Sequence, residues 1–175
     1  IAVALGEIHA RGGVHRDLKP RNVMLAEGDF VKLVDFGLAR IDGRRISTVS
    51  SDEITDEERL TEGGTIFGTI EYLAPEAAFG MDLVDSRADL YALGVIFYEM
   101  LAGKHPFEAR TEAELFAKQR LKPPPPIAER SPGIKVDPLV EGLVMKLLEK
   151  DFDERYQSAN ELIAAIDGAI PEARV

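Results

Sequence analysis

The sequence predicts a mainly α-helical domain carrying one small β-hairpin. Three observations predict it. Val23-Met24-Leu25 and Phe30-Val31-Lys32-Leu33-Val34 are short runs rich in apolar and β-branched residues, and Ala26-Glu27-Gly28-Asp29 between them is turn material. Leu90 to Ala102 is apolar nearly all round, yet far shorter than the roughly 20 residues a bilayer span needs, so it reads as a fully buried helix. Thr111-Glu112-Ala113-Glu114 and Ser158-Ala159-Asn160-Glu161 both have capping-box spacing, which marks two helix starts.

Taken in order, Ile1 to His9 reads as the last turns of a helix. It is apolar but lacks the basic region and cleavage pattern of a signal peptide. In the hairpin, a turn centred near Gly28 puts Asn22 opposite residues 34 and 35, so the Asn22 amide oxygen and the Asp35 carboxylate emerge together at its open end. From Asp35 to Glu76 the chain is long, polar and acidic, with Asp52, Glu53, Asp56, Glu57, Glu58 and Glu62 among serines and threonines, the composition of a solvated loop. Gly103-Lys104-His105-Pro106-Phe107 ends the buried helix with breakers. Pro123 to Pro126 forces an extended segment, read as a loop inside the domain because helices flank it, and Leu139 to Leu148 returns to helical spacing. Residues 1–170 are taken as one domain and 171–175 as a tail.

At 175 residues the chain is long enough for one sizeable core. Zero cysteines exclude disulfides and thiolate metal sites. A net charge of -10 argues against nonspecific nucleic-acid binding and leaves no basic patch for a membrane surface.

The chemistry concentrates in His15-Arg16-Asp17-Leu18-Lys19-Pro20-Arg21-Asn22, followed by Asp35-Phe36-Gly37. Singly, these residues are ordinary: a loop Asp is usually a turn former, Asp-x-Gly commonly closes a strand, and a lone Lys is a solvated charge. Together, in this order and spacing, they resemble the catalytic lobe of the protein kinase family. The resemblance implies Asp17 as the acceptor of a substrate hydroxyl proton and Lys19 as a cation facing the phosphoryl group. It implies Asn22 and Asp35 as oxygen ligands of Mg²⁺, or of Mn²⁺, with ATP as the phosphate donor. His15 is expected to support the loop by packing and to transfer no proton.

Downstream, Gly68-Thr69-Ile70-Glu71-Tyr72-Leu73-Ala74-Pro75-Glu76 resembles the loop that docks a protein substrate and closes a kinase activation segment. Lys19 and Thr69 resemble the serine/threonine class, and the motif style resembles bacterial members. By register against Gly68, Thr65 and Thr61 fall where such kinases carry regulatory phosphothreonines, which Arg16 and Arg40 are expected to bind through charge-assisted hydrogen bonds. Asp89 resembles the acid that accepts backbone hydrogen bonds from the catalytic loop. Arg155 resembles the arginine that pairs with Glu76.

No Gly-rich phosphate-covering loop or Val-Ala-Ile-Lys-like strand precedes His15. The resemblance therefore implies a carboxy-terminal lobe whose partner amino-terminal lobe is absent, inactive alone, with protein substrates, ATP and that lobe as partners. The setting expected is cytoplasmic, with membrane anchoring by segments outside this chain left open. A noncatalytic kinase-like scaffold is the alternative; such proteins usually lose the base or a metal ligand, and Asp17, Asn22 and Asp35 are all present.

Overall fold

The structure is a computed structural model that describes residues 1–28, 30–35, 40–41, 44–45, 70–80 and 83–170. Within them the chain is helix-rich. In order come α1 (Ala2–His9), β1 (Gly13–Val14), β2 (Val23–Leu25), β3 (Val31–Leu33), β4 (Arg40–Ile41), β5 (Arg44–Arg45), α2 (Ser86–Ala102), α3 (Glu112–Leu121), α4 (Ile127–Arg130), α5 (Pro138–Leu147) and α6 (Ala159–Ala169). Short 3₁₀ turns cover Pro20–Asn22, Ile70–Tyr72 and Pro75–Phe79.

Helix α2 organises the rest. Asp85 caps it by accepting the Arg87 N–H, and it ends at Gly103, whose φ of 68° is the left-handed conformation glycine adopts without a Cβ penalty. Its residues divide into two stripes. Leu90, Leu93 and Ile96 face one core with Leu5, Leu18, Leu33, Leu147 and Leu162. Ala88, Tyr91, Val95, Tyr98 and Ala102 face a second core with Ala74, Val84, Ile127, Val144 and Leu148. A helix lodged between two cores must be apolar on both sides, which is why this one shows no polar face.

Close approach of α5 sets one further requirement on α2. A Cβ at Gly94 would lie 2.7 Å from Leu147 Cβ, well inside contact distance. Glycine in a helix interior costs about 0.5–1 kcal/mol relative to alanine, and here that loss is offset by the packing it permits.

The hairpin lies where the spacing places it. β2 and β3 pair antiparallel with Val23 opposite Leu33 and Leu25 opposite Val31. The Val34 N–H then donates to the Asn22 carbonyl at 3.0 Å, so the pairing runs one residue beyond the strands. A second, three-stranded sheet of order β1-β4-β5 was not expected from sequence. Strands of two residues are too short to show a period, and Arg40 and Arg44–Arg45 carry no apolar signal.

Both capping boxes are present in a shifted form. Thr111 Oγ1 accepts the Glu114 N–H at 3.1 Å, and Ser158 Oγ accepts the Glu161 N–H at 3.1 Å. The glutamates reach one residue past the cap, accepting from the Arg110 N–H at 2.9 Å and the Gln157 N–H at 2.7 Å. The proline run is tied into the domain, since the Tyr98 hydroxyl donates to the Pro125 carbonyl at 2.8 Å. Among the described residues no helix is long and apolar enough to cross a membrane.

Candidate active site

The segment from His15 to Asn22 links β1 to the hairpin and is fastened from below by Asp89, in the first turn of α2. Asp89 is 2 % exposed, yet its carboxylate is well supplied with donors. Oδ2 accepts the His15 N–H at 2.8 Å and a 2.9 Å bond from His9 Nε2, and Oδ1 accepts the Arg16 N–H at 2.8 Å. A buried carboxylate unpaired in this way would cost several kcal/mol, whereas three donors make it an anchor. Arg16 needs one: its φ of 64° lies in the left-handed region, a strain of about 1–3 kcal/mol for a residue with a Cβ. Its guanidinium donates to the Val84 carbonyl at 3.0 Å. Leu18, 2 % exposed, pins the middle of the loop into the first core.

On this support three predicted residues come together. Lys19 Nζ donates to Asp17 Oδ2 at 2.7 Å. Asn22 Nδ2 donates to the Asp17 carbonyl at 2.8 Å and to Asp17 Oδ2 at 3.2 Å. The Asp17 and Lys19 side chains are 13 % and 17 % exposed, so the pair sits at the surface edge where a substrate can reach it. The Asp17 N–H leans toward His15 Nδ1 at 3.4 Å, and His15 is fully buried beneath the loop.

Because the Asn22 amide nitrogen is turned to Asp17, its oxygen is the atom left to address another group. Asp35 directly follows Val34, whose N–H closes the hairpin on Asn22, and is exposed with a φ of 64°. A side-chain amide oxygen and a carboxylate at one end of a hairpin are hard donors of the kind Mg²⁺ accepts, with water and phosphate oxygens completing its octahedron. Among the described residues no cluster of three or more His, Cys, Asp or Glu side chains is arranged to hold a metal.

Glu76 and Arg155 form a bidentate pair, Nη1 to Oε1 and Nη2 to Oε2 both at 2.7 Å, with side chains 5 % and 0 % exposed. The guanidinium also donates to the carbonyls of Glu149 at 2.7 Å, Lys150 at 3.2 Å and Arg87 at 3.3 Å. Every face of this buried cation is therefore supplied with acceptors, which is what allows it to be buried.

Other expected residues are placed less completely. The Arg40 backbone pairs with Val14, two residues before Arg16. Its side chain, with Phe36, Gly37, Thr61, Thr65, Gly68 and Thr69, lies outside the described residues.

Several supporting residues were not read from sequence. His9 is one, linked to Asp89 across 80 positions. The Ile70–Tyr72 turn is held by three more. The Glu71 carbonyl meets His105 Nε2 at 3.0 Å and Gln119 Nε2 at 2.6 Å, and the Tyr72 hydroxyl donates to Glu99 at 2.8 Å. His105 Nδ1 lies 3.1 Å from the Phe107 nitrogen and 3.0 Å from its carbonyl oxygen, and because the Glu71 carbonyl can only accept, Nε2 is the donor to it. Burial, followed by Glu99, pushes the Tyr72 hydroxyl well above its ordinary pKa and keeps it a donor. A lone His, Gln or Tyr gives no periodic signal, and only the fold brings them together.

Comparison with known proteins bears on the whole arrangement. The family model described as the protein kinase domain matches residues 1–165. The chain is 38% identical over 175 residues to the serine/threonine-protein kinase pkn3 of Myxococcus xanthus, covering 98% of this chain and 30% of that protein. It is 37% identical over 174 residues to the serine/threonine-protein kinase PknB of Mycobacterium leprae, covering 97% of this chain and 26% of that protein. The chain thus spans less than a third of the length of these relatives. With the family model matching residues 1–165 of the 175, the chain belongs to the protein kinase family, and the relatives it matches are bacterial serine/threonine protein kinases.

Proposed function

We propose that the chain supplies the substrate-facing portion of a serine/threonine protein kinase, in which the γ-phosphoryl group of ATP passes to a Ser or Thr hydroxyl of a protein. The observation that carries this reading is the Asp17 carboxylate, held by Lys19 and Asn22 on a loop anchored at Asp89. A hydroxyl brought to Asp17 finds a carboxyl oxygen to accept its proton as its own oxygen attacks phosphorus. Lys19, 2.7 Å from Asp17, offsets negative charge on the phosphoryl group. The Asn22 oxygen and the Asp35 carboxylate are the groups that would hold Mg²⁺, or Mn²⁺ in its place, which when bound would supply positive charge against the phosphates. The turn at Ile70–Tyr72, held through the Glu71 carbonyl, and Glu76, held by Arg155, belong to the segment that resembles a protein-docking loop, which supports a protein as substrate.

The remainder of the nucleotide site is placed on an amino-terminal lobe outside residues 1–175. Met24, Leu25 and Phe30 are 54 %, 80 % and 71 % exposed on the hairpin that carries Asn22 and Asp35, an apolar edge suited to covering by that lobe. Phosphorylation of Thr65, and secondarily Thr61, is the proposed activating event, with Arg16 and Arg40 the residues proposed to bind the phosphate; the Arg40 backbone pairs with Val14, two residues before Arg16.

One experiment tests these statements together. The complete kinase and the isolated chain are each incubated with γ-labelled ATP, Mg²⁺ and a protein substrate, and the products are mapped by phosphopeptide analysis. The expected result is phosphoserine or phosphothreonine in the substrate and modified Thr65 or Thr61 in the complete enzyme, with background transfer from the isolated chain. Phosphotyrosine as the product, an active enzyme with neither threonine modified, or robust transfer by the isolated chain would each remove the corresponding statement.

A further inference from the structure

Lys150 stands apart from the other partly buried lysines. Lys19, Lys118 and Lys146 each pair with a carboxylate, at 2.7, 2.7 and 3.1 Å. Among the described residues, the Lys150 amine meets none. It lies 4.7 Å from the centre of the Phe107 ring and 5.2 Å from that of Tyr91, and its closest polar contact is the Tyr91 hydroxyl at 3.3 Å. Both rings belong to buried residues. On the same Tyr91 ring, 5.0 Å from its centre, lies the guanidinium of Arg155. Two cations thus share one aromatic residue, and only one of them can shed its proton, since arginine stays charged.

The charged and titratable groups around this amine come from each element packed against it. Tyr91 faces it from α2, Phe107 from the loop after α2, and Arg155 and Glu149 from its own segment. Attraction to the rings favours the ammonium form. Lost hydration and the neighbouring Arg155 oppose it, and the rings carry no full charge to compensate. Lys150 is nevertheless partly exposed, so a small reagent can reach it.

We propose that the Lys150 ε-amine is a modification site, acylated by small acyl phosphates. The lone pair of the neutral amine attacks the carbonyl carbon and a C–N bond forms. The C–O bond to phosphate breaks, phosphate leaves with the bonding pair, and the proton released from nitrogen passes to solvent. No oxidant or further reactant enters. The resulting amide carries no charge to set against the two rings and is longer than the amine, so it leaves the cage. Phe107 then loses a neighbour, and the Phe107 N–H positions His105, which holds the Glu71 carbonyl. The acylation itself does not depend on phosphotransfer, so it stands or falls separately from the kinase reading.

The test exposes the purified protein to acetyl phosphate for short times at a series of pH values and follows each lysine by peptide mass spectrometry. The exposed Lys32, Lys104, Lys122 and Lys135 serve as internal references. Burial, with the Arg155 charge, brings Lys150 down to about 8. At pH 7.5 its neutral fraction therefore exceeds that of an ordinary lysine by about two orders of magnitude, part of which is returned as weaker nucleophilicity. Labelling at Lys150 is expected to run about tenfold faster than at the reference lysines and to level off above pH ~8.5, while theirs climbs to about pH 10. In denaturant the advantage is expected to vanish. Labelling at or below the reference rate with no plateau, or an advantage that persists in the unfolded chain, overturns the proposal.

Discussion

Asp17→Asn in the complete kinase is expected to lower kcat for protein phosphorylation by about 10²–10⁴-fold, the range typical for loss of a positioned general base. Asparagine keeps the volume and an oxygen for Lys19, which now sits 2.7 Å from Asp17 Oδ2, so the loop has no reason to rearrange. What disappears is the capacity to take a proton. The loss should therefore appear in kcat, with the KM for ATP and the melting temperature close to the parent values. Steady-state kinetics with both substrates varied measure this. Near-parental kcat would remove Asp17 from the chemistry and favour the scaffold alternative; a large rise in KM alone would make it a binding residue.

Arg155→Ala is expected to produce the largest loss of stability. The substitution leaves the Glu76 carboxylate, 5 % exposed, without either of its 2.7 Å donors. Removing one partner of a buried pair typically costs about 3–5 kcal/mol. For a chain of this size each kcal/mol moves the melting temperature by about 2–4 °C, so a fall of about 6–20 °C is expected in thermal unfolding followed by circular dichroism. Replacing Glu76 by Gln in the same chain should recover part of the loss, because the stranded charge and not the missing contact is its main source. A fall of less than 2 °C, or no recovery in the double variant, would show that the carboxylate finds other partners.

Much of the fold was legible because it rests on local or periodic signals. The hairpin followed from two β-rich runs about Gly28, and its register followed from the turn, which placed Asn22 opposite residues 34 and 35; the Val34 N–H bonds to the Asn22 carbonyl. Helix α2 was legible as a buried element, but its start was not. The apolar run begins at Leu90, whereas the helix begins at Ser86 behind the Asp85 cap, and the first turn is polar because Asp89 points at the loop rather than at solvent. The helices opened by Thr111 and Ser158 were legible from their caps, although each glutamate reaches one residue further than the capping box requires.

The remainder is long-range and leaves no local trace. The bond from His9 to Asp89 spans 80 positions, that from Gln119 to the Glu71 carbonyl 48, and the contact of Lys150 with Tyr91 59. Each involves a polar side chain embedded in an otherwise unremarkable stretch, and only the packing of α2 between two cores brings the partners into register. The β1-β4-β5 sheet escaped for a related reason, since its strands are shorter than any period that could announce them.

The central claim is that Asp17, Asn22 and Asp35 address a common point. It is tested most directly by adding Mn²⁺ and a nonhydrolysable ATP analogue to the isotopically labelled complete domain and recording paramagnetic broadening. The Asn22 side-chain amide and the Asp35 backbone amide are expected to broaden together at the lowest Mn²⁺ ratios, with Asp17 close behind and Arg155 untouched. Broadening that spares Asn22 or Asp35, or that centres on the acidic residues of 52–62, would contradict it.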